Sequence, residues 1–311
     1  MTGMREVWRG SVMAWECDEM AHMNTRFYVS RAMEGLAGLF GYLGMPRLFA
    51  PTSPTTLAVE EMHIRFRREA RVAAPLHMTA GVVEISDCEA TVLLLLFHSR
   101  SGQTAATFRL RVAHVLASDG RTRQGWPGSL KAAAQSSRVE VPIEARPRSV
   151  SLQPADRDHT VDEAVALGLQ RVAMGLLPRE GCDAFGRMHQ SRFIGAVGEG
   201  ARQLLQPLRE MIVEHAKQKP ERFGGAALEF RVVNLLSPTW GDCFEVRSGL
   251  QRVDGNALSV VHWMMDPFSG RRFAAMQSIN TVLDLDRRKI VAISEMARSL
   301  ISEREIPGLH I

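Results

Sequence analysis

A carboxylate, an imidazole and a carboxamide occur at close spacing near the start of the chain, in the pattern Asp18-x-x-x-His22-x-Asn24. They lie within the segment Trp15–Asn24, and a helical pattern begins directly after it. The first backbone N–H groups of a helix have no partners within the helix, and the helix dipole is positive at this end. A carboxylate placed there can act structurally as a cap, or it can work beside donors that polarise a carbonyl group.

The same segment occurs a second time, as Glu180–His189. Asp18 and Asp183 lie 165 positions apart (183 − 18 = 165), and several further pairs share that offset. These pairs are Cys17/Cys182, Met23/Met188, Tyr28/Phe193, Val29/Ile194, Glu34/Glu199 and Gly35/Gly200. Farther along, the offset rises to 166 for Arg65/Arg231 (231 − 65) and to 168 for Gly102/Gly270 (270 − 102), as loop insertions would cause. A register held over this length indicates a tandem duplication.

The composition agrees with two globular domains. A chain of 311 residues suggests about two domains, and a hydrophobic share of 45% with a charged share of 23% is ordinary for globular proteins. The net charge of +4 is modest, and the sequence carries no zinc, helix-turn-helix or single-strand-binding signature, so we do not expect nucleic acid as a partner. We predict a first domain at 1–118, a linker at 119–160, and a second domain with a C-terminal helix at 161–311.

The cysteines do not indicate a disulfide framework or a metal site. They form no C-x-x-C pair and no short metal-binding spacing; the four are Cys17, Cys88, Cys182 and Cys243. The first six residues lack the apolar core of a signal peptide. The longest apolar run, residues 92–97, is too short to span a bilayer. We therefore expect a cytoplasmic protein with no metal and no membrane partner.

Hydrophobic periodicity predicts the elements of the first half. Apolar residues recur every three to four positions from Thr25 to Tyr42, which predicts a helix. Gly35, Gly38 and Gly41 would each cost about 1 kcal/mol relative to alanine in an exposed helix, so we expect this helix to lie tight against a sheet. Four strands in an antiparallel meander are predicted to follow it. They cover residues 57–66, 76–85, 91–98 and 108–116.

The second half repeats this order after a segment without periodicity at residues 117–158. A helix is predicted from residue 190 to about 217, with a kink or break at Pro207. The second set of strands is predicted at residues 226–233, 243–252, 257–265 and 273–283. An amphipathic C-terminal helix at 290–303 has no counterpart in the first half.

The motif, the glycine-containing helix and the strands that follow resemble the hotdog superfamily of thioesterases, nearest to the 4-hydroxybenzoyl-CoA and acyl-CoA thioesterases. The resemblance covers residues 8–116 and 168–285. It implies an α+β fold, a double hotdog in which each antiparallel sheet wraps around a long central helix. It also implies an acyl-CoA thioesterase that needs no cofactor other than the coenzyme A of its substrate.

The resemblance implies roles for the residues of the first motif. Asp18 matches the carboxylate that attacks the thioester carbonyl or activates a water molecule for that attack. The backbone N–H groups near Asn24 and Thr25 match the donors that stabilise the oxyanion. Asn24 would orient the water or the carbonyl group, and His22 would shape the turn or form a hydrogen bond near it.

The second motif departs from this pattern. Asp183 is kept, but Arg187 stands where the first motif has His22, and His189 stands in place of Asn24. A guanidinium beside Asp183 would hold the carboxylate in an ion pair, suited to binding a substrate carboxylate or a CoA phosphate. We therefore assign Asp18 as the working carboxylate and keep Asp183 as the alternative.

Four further repeated residues are candidates for substrate binding. Glu34 and Glu199 lie on the two central helices, where they would serve as carboxylates of the partner site or as structural polar groups. Arg65 and Arg231 lie beside apolar strand positions, where they would contact CoA phosphates or point into solvent.

Other functions remain open at this point. One is a hotdog enoyl-CoA hydratase or dehydratase, although His22 lies too close to Asp18 to match the His–carboxylate pairing of those enzymes. Another is a non-catalytic protein that binds acyl thioesters, which the altered second motif permits. The carrier is CoA or an acyl carrier protein, and we expect the chains to associate as a homo-oligomer.

Overall fold

The computed structural model describes residues 3–155 and 159–311. The chain divides into two compact units. One contains the chain up to Pro147 together with Pro178–Ile194, and the other contains Gly195–Ile311 and the described part of Arg148–Leu177. The limits predicted for the repeats, at 118 and 160, remain a prediction; the compact units divide the chain at other points. Residues 1–2 of the predicted first domain and 156–158 of the predicted linker lie outside the described residues.

The first unit is built from one antiparallel sheet and a long helix. Its strands are β1 (Arg5–Ser11), β2 (Thr55–Phe66), β3 (Pro75–Ile85), β4 (Glu89–His98) and β5 (Thr104–Leu116), and its helices are α1 (Thr25–Tyr42) and α2 (Gly128–Ser136). The predicted helix and all four predicted strands are confirmed, with the strands one to four residues longer at the start. The segment 117–158 carries the short helix α2, which the sequence pattern did not indicate.

The strand order in the first unit is β1-β3-β4-β5-β2. The predicted meander is therefore wrong at one point, because β2 pairs with β5 and not with its neighbour in sequence, β3. The free edge of β3 is taken instead by β1, which pairs with it in antiparallel register.

The second unit repeats this sheet in the order β6-β8-β9-β10-β7, with β11 paired to β10. Its strands are β6 (Gln170–Leu176), β7 (Phe223–Asn234), β8 (Cys243–Asp254), β9 (Ala257–Met265), β10 (Arg272–Asp284) and β11 (Lys289–Ile290). The helices are α3 (Val161–Ala166), α5 (Arg202–Glu214) and α6 (Glu295–Ser302). A further helix, α4 (Gln190–Gly200), begins in the first unit, and its residues from Gly195 onward belong to the second. The predicted strands are confirmed. The C-terminal helix is shorter than predicted, because Lys289–Ile290 forms a strand and the helix begins only after its N-cap, Ser294.

The helix predicted at 190–217 breaks earlier than expected. The interruption lies between Gly200 and Arg202, not at Pro207, which is inside α5. Glycine is a poor helix former, and the break falls directly after Gly200. At Gly200 an added Cβ would lie 2.1 Å from the carbonyl oxygen of Val172 on β6, so only glycine fits this approach.

The α1 helix packs against the first sheet through a buried stripe that includes Tyr28, Ala32, Leu36 and Phe40. Two of its three glycines lie close to the strands, as predicted. A Cβ added at Gly35 would lie 2.5 Å from the sulfur of Met78, and at Gly38 it would lie 2.5 Å from the carbonyl oxygen of Val7. The prediction is wrong for Gly41, where the nearest atom is Cα of Pro46 at 3.8 Å.

Gly38→Ala is expected to destabilise the protein, because the added methyl group would overlap the main chain of β1, and overpacking of this kind costs roughly 1–3 kcal/mol. Gly41→Ala is the matched control, since ordinary contacts and a better helix former make it neutral or stabilising by up to about 1 kcal/mol. Urea unfolding of both variants measures the difference. Equal free energies of unfolding for the two variants would contradict the close approach at Gly38.

The core of the second unit contains a polar network at positions where the first unit has apolar side chains. The imidazole of His262 is fully buried, with Nδ1 2.7 Å from Oγ of Ser248 and Nε2 2.9 Å from Oγ of Ser278. Asn280 donates to the same Ser278 oxygen at 2.9 Å. The corresponding residues of the first sheet, at an offset of 168 (262 − 94), are all apolar and buried. They are Ala80, Leu94, Leu110 and Val112.

Candidate active site

The turn of the first motif is built by Asp18. Its Oδ1 accepts hydrogen bonds from the backbone N–H groups of Met20 at 2.9 Å and His22 at 3.1 Å, and its own N–H donates to the carbonyl of His22 at 2.9 Å. Ala21 completes the turn with φ of 59°, a left-handed conformation. The other carboxylate oxygen of Asp18, Oδ2, makes no hydrogen bond within the described residues. Asp18 thus has a structural role in this turn, and one oxygen stays available.

The remaining candidates of the first motif have structural contacts. Asn24 is the N-cap of α1, since its Oδ1 accepts from the N–H of Arg26 at 3.0 Å. Its own N–H donates to the carbonyl of Glu16 at 2.8 Å, so this N–H is not a free oxyanion donor. The imidazole of His22 is buried, with Nε2 3.3 Å from Oε2 of Glu69. The N–H of Thr25 makes no hydrogen bond to the described residues.

The second motif reproduces the first turn. Oδ1 of Asp183 accepts from the N–H groups of Phe185 at 2.9 Å and Arg187 at 3.0 Å, and the Asp183 N–H donates to the carbonyl of Arg187 at 2.7 Å. Gly186 takes the left-handed position that Ala21 has in the first copy, with φ of 78°. Here too Oδ2 makes no hydrogen bond within the described residues, and the side chain is exposed.

His189 holds the position in front of α4 that Asn24 holds in front of α1. Its N–H donates to the carbonyl of Gly181 at 2.9 Å, as Asn24 does to Glu16. The N–H of Ser191 donates to Nδ1 of His189 at 3.4 Å, and Oγ of Ser191 lies 2.7 Å from the same nitrogen. Because Nδ1 accepts, these partners assign the proton of the neutral ring to Nε2. The imidazole therefore caps the helix with one nitrogen and offers an N–H donor with the other.

Charged groups act electrostatically on the imidazole of His189. Burial lowers the pKa of His189 below its ordinary value, the carboxylates of Asp183 and Glu34 oppose this effect, and the guanidinium of Arg26 adds to it. Burial prevails, so the ring is mainly neutral at pH 7. Two carboxylates and one cation thus act on a single helix-capping imidazole, and all four residues belong to the first compact unit.

The carboxylate of Glu34 belongs to a network of ion pairs with Arg31 and Glu16. Nη1 of Arg31 lies 2.6 Å from Oε1 of Glu34, and Nη2 of Arg31 contacts Oε1 of Glu16. Glu16 is completely buried, and its Oε2 accepts from the N–H of Met13 at 2.8 Å. The guanidinium of Arg31 also lies over the ring of Trp8, 5.5 Å from its centroid.

The guanidinium of Arg187 does not reach Asp183. It donates to the carbonyl of Ala117, packs against Gly120 and lies 5.6 Å from the ring centroid of Phe185. The predicted ion pair between Arg187 and Asp183 is therefore wrong. The guanidinium of Arg187 can approach the carbonyl of Ala117 because Gly120, in a left-handed conformation with φ of 67°, has no side chain in its path.

The other candidates lie outside the group around His189. Arg65 is buried and donates to the carbonyl of Arg146 at 3.1 Å, and Arg231 is buried and donates to the carbonyl of Gln153 at 2.5 Å. Each arginine contacts a segment between the repeats. The prediction that these side chains point into solvent is therefore wrong, and their contact with CoA phosphates stays a prediction. Glu199 is exposed on α4 and belongs to the second unit.

The sequence matches a family model described as the thioesterase-like superfamily over residues 12–145 and 176–301, which is most of the chain. The chain belongs to the thioesterase-like superfamily. The two matched segments correspond to the two repeats found in the sequence. No curated protein gives a significant match.

Two solved structures that are similar to this thioesterase-like protein are named as ACP thioesterases. The 12:0-ACP thioesterase from Umbellularia californica is 8% identical, with a TM-score of 0.65 over 89% of this chain and 94% of that chain. An acyl-ACP thioesterase from Bacteroides thetaiotaomicron is 10% identical, with a TM-score of 0.61 over 89% and 98%. At these identities the likeness concerns the fold, and it confirms the predicted α+β double hotdog.

Three residues that contact the candidate site residues of this thioesterase-like chain are not among those predicted from the sequence. Ser191, Arg31 and Glu16 are polar residues without a repeat partner of the same type, since their counterparts are Arg26, Ala196 and Gly181. A comparison of the repeats that looked for differences, rather than matches, would have selected them.

The described residues hold neither a metal-binding cluster nor a helix able to span a membrane. No cluster of three or more His, Cys, Asp or Glu side chains there has the arrangement of a metal site. Among the helices described, none combines the length and apolar character needed to cross a lipid bilayer.

Proposed function

We propose that this protein hydrolyses acyl thioesters and that the reaction takes place beside His189, at the start of α4. The observation that carries the proposal is the imidazole itself, which caps the helix through Nδ1 and carries its proton on Nε2. Asp183 and Glu34 act on the same ring. The equivalent position in the first repeat holds Asn24, whose Oδ1 is used by the N–H of Arg26.

The chemistry follows from these groups. A water molecule attacks the thioester carbonyl carbon and gives its proton to Oδ2 of Asp183, which acts as general base. The carbonyl oxygen becomes negative and accepts a hydrogen bond from Nε2–H of His189. The C–S bond then breaks, the leaving thiolate takes the proton back from Asp183, and the thiol and the carboxylic acid are released. Coenzyme A enters this reaction only as part of the substrate.

The carrier of the acyl group is part of the proposal. The sequence resemblance favours acyl-CoA, whereas the two similar structures described above are named as ACP thioesterases. Both kinds of substrate therefore belong in the assay, with acyl chains of increasing length. The released thiol is measured with a thiol reagent.

Asp183→Asn is expected to lower kcat/KM roughly 10²-fold, because general-base catalysis contributes about 10²–10⁴. Asparagine keeps the Oδ1 acceptor that the turn needs, so the variant removes the base without removing the turn. Asp18→Asn is the matched control from the first repeat and is expected to retain activity.

Two outcomes would contradict the proposal. Loss of activity in Asp18→Asn with normal activity in Asp183→Asn would return the reaction to the first motif, as the sequence pattern predicted. Absence of thiol release from every acyl-CoA and acyl-ACP, with binding retained, would leave a protein that binds acyl thioesters without hydrolysing them.

A further inference from the structure

Glu34 acts electrostatically on His189 from a different part of the chain than Asp183 does. It lies on α1, while the other two belong to the second motif, and its side chain is 45% exposed. A glutamate with three rotatable bonds at such a position has no fixed direction by itself, and ordering it costs conformational entropy. In this molecule it is ordered by the guanidinium of Arg31 at 2.6 Å.

Arg31 is ordered in turn by Glu16. The carboxylate of Glu16 is completely buried, and it receives both the Arg31 guanidinium and the N–H of Met13. A buried carboxylate without partners would be strongly unfavourable, so its burial makes the contact with Arg31 obligatory. Nη2 of Arg31 is thereby directed inward to Glu16, and Nη1 is left for Glu34.

The two repeats differ at these positions. Glu34 has the equivalent Glu199, but Glu16 and Arg31 correspond to Gly181 and Ala196, which cannot form an ion pair. His189 likewise has no imidazole as its counterpart. The residues that occur in only one repeat thus include both the imidazole and the pair that orders the carboxylate acting on it.

We propose that Glu16 and Arg31 are positioning residues that hold the Glu34 carboxylate in the direction from which it acts on His189 and orients the attacking water. This inference rests on the proposed function for its chemical meaning. A nucleophilic water needs one acceptor for the proton it loses, Asp183, and a second acceptor that fixes its orientation. The Arg31 guanidinium compensates the charge of Glu34, so two carboxylates can share the site with little mutual repulsion.

The test uses the double variant Glu16→Gln/Arg31→Gln, which removes both charges of the pair and leaves no buried charge unpaired. The single variant Glu34→Gln removes the carboxylate that the pair holds. Arg9→Gln is the control, because it breaks an exposed ion pair with Glu6 on β1 in the same unit. The pKa of His189 is followed by NMR titration of its ring protons, assigned by comparison with His189→Asn.

Glu34→Gln is expected to lower the pKa of His189, because it removes one of the negative charges that raise it. If Glu16 and Arg31 position Glu34, the double variant lowers this pKa as well, and adding Glu34→Gln to it produces no further change. A pKa of His189 that stays unchanged or rises in the double variant would overturn the proposal, since Glu34 would then hold its place without the pair.

The kinetic arm separates positioning from general stability. The double variant is expected to lower kcat about tenfold with little change in KM, because misplacement of a group by about 1 Å can cost up to 10²-fold in rate. Arg9→Gln is expected to leave both constants unchanged. If the wild-type protein releases no thiol, the proposed function fails, and the NMR titration still decides whether the pair positions Glu34.

Discussion

Replacing His189 with asparagine is expected to lower kcat/KM for acyl thioesters on the order of 10³-fold, while the protein stays folded. Loss of one oxyanion donor costs about 10²–10³ in rate, and Nε2–H of His189 is the side-chain donor that we assign to the carbonyl oxygen. Steady-state thiol release with the best acyl substrate measures the change.

Asparagine is the informative substitution because the chain already uses it at the equivalent position. Asn24 caps α1 by accepting the N–H of Arg26 at 3.0 Å, so asparagine at 189 can accept the N–H of Ser191 in the same way. The variant therefore removes the imidazole and keeps the helix cap. Circular dichroism and the unfolding midpoint are expected to stay close to the wild-type values.

The reciprocal variant, Asn24→His, is the control for this experiment. It places an imidazole at the start of α1. In the second repeat the equivalent of Glu34 is Glu199, and Gly181 and Ala196 stand in place of the pair that orders Glu34. Asn24→His is therefore expected to leave the activity near that of the wild type. Full activity in His189→Asn would refute the site at α4. Recovery of activity in His189→Asn/Asn24→His would show that the two helix starts are interchangeable.

The second large effect concerns stability at low pH. Burial lowers the pKa of His262 from its ordinary value of 6.5 to about 3. The unfolded chain binds a proton at this imidazole below pH 6.5, while the folded protein does not until about pH 3. The free energy of unfolding is therefore unaffected by this residue above pH 6.5. Below pH 6.5 it falls by about 1.4 kcal/mol per pH unit until the pH reaches about 3. The total over the interval is about 5 kcal/mol.

The first repeat supplies the matched variant for this prediction. Replacing the polar network by the residues of the first sheet gives Ser248→Ala/His262→Leu/Ser278→Leu/Asn280→Val, which removes the titrating group and keeps a packed core. Urea unfolding from pH 7.5 to 4.5 is expected to show the steep loss in the wild type and a shallower one in the fourfold variant. Equal pH dependence in both proteins would mean that His262 does not resist protonation in the fold.

Local patterns in the sequence determined much of this protein. The helix Thr25–Tyr42 was predicted to the residue, and the strands were predicted within a few residues, because apolar periodicity reflects which face an element buries. Asp18 and Asp183 hold equivalent positions in the predicted duplication, and both form the same turn. Contacts of this kind join residues only two to four positions apart, so the sequence contains them directly.

Tertiary structure decided which of these residues meet. The chain does not encode locally that β2 pairs with β5, that a carbonyl of the first repeat captures the guanidinium of Arg187, or that Glu34 acts on His189. These outcomes depend on how whole elements pack, and packing is set by the sum of many weak contacts from distant segments. The motif therefore gave the kinds of side chain available, and the fold determined which charged groups act on the imidazole of His189.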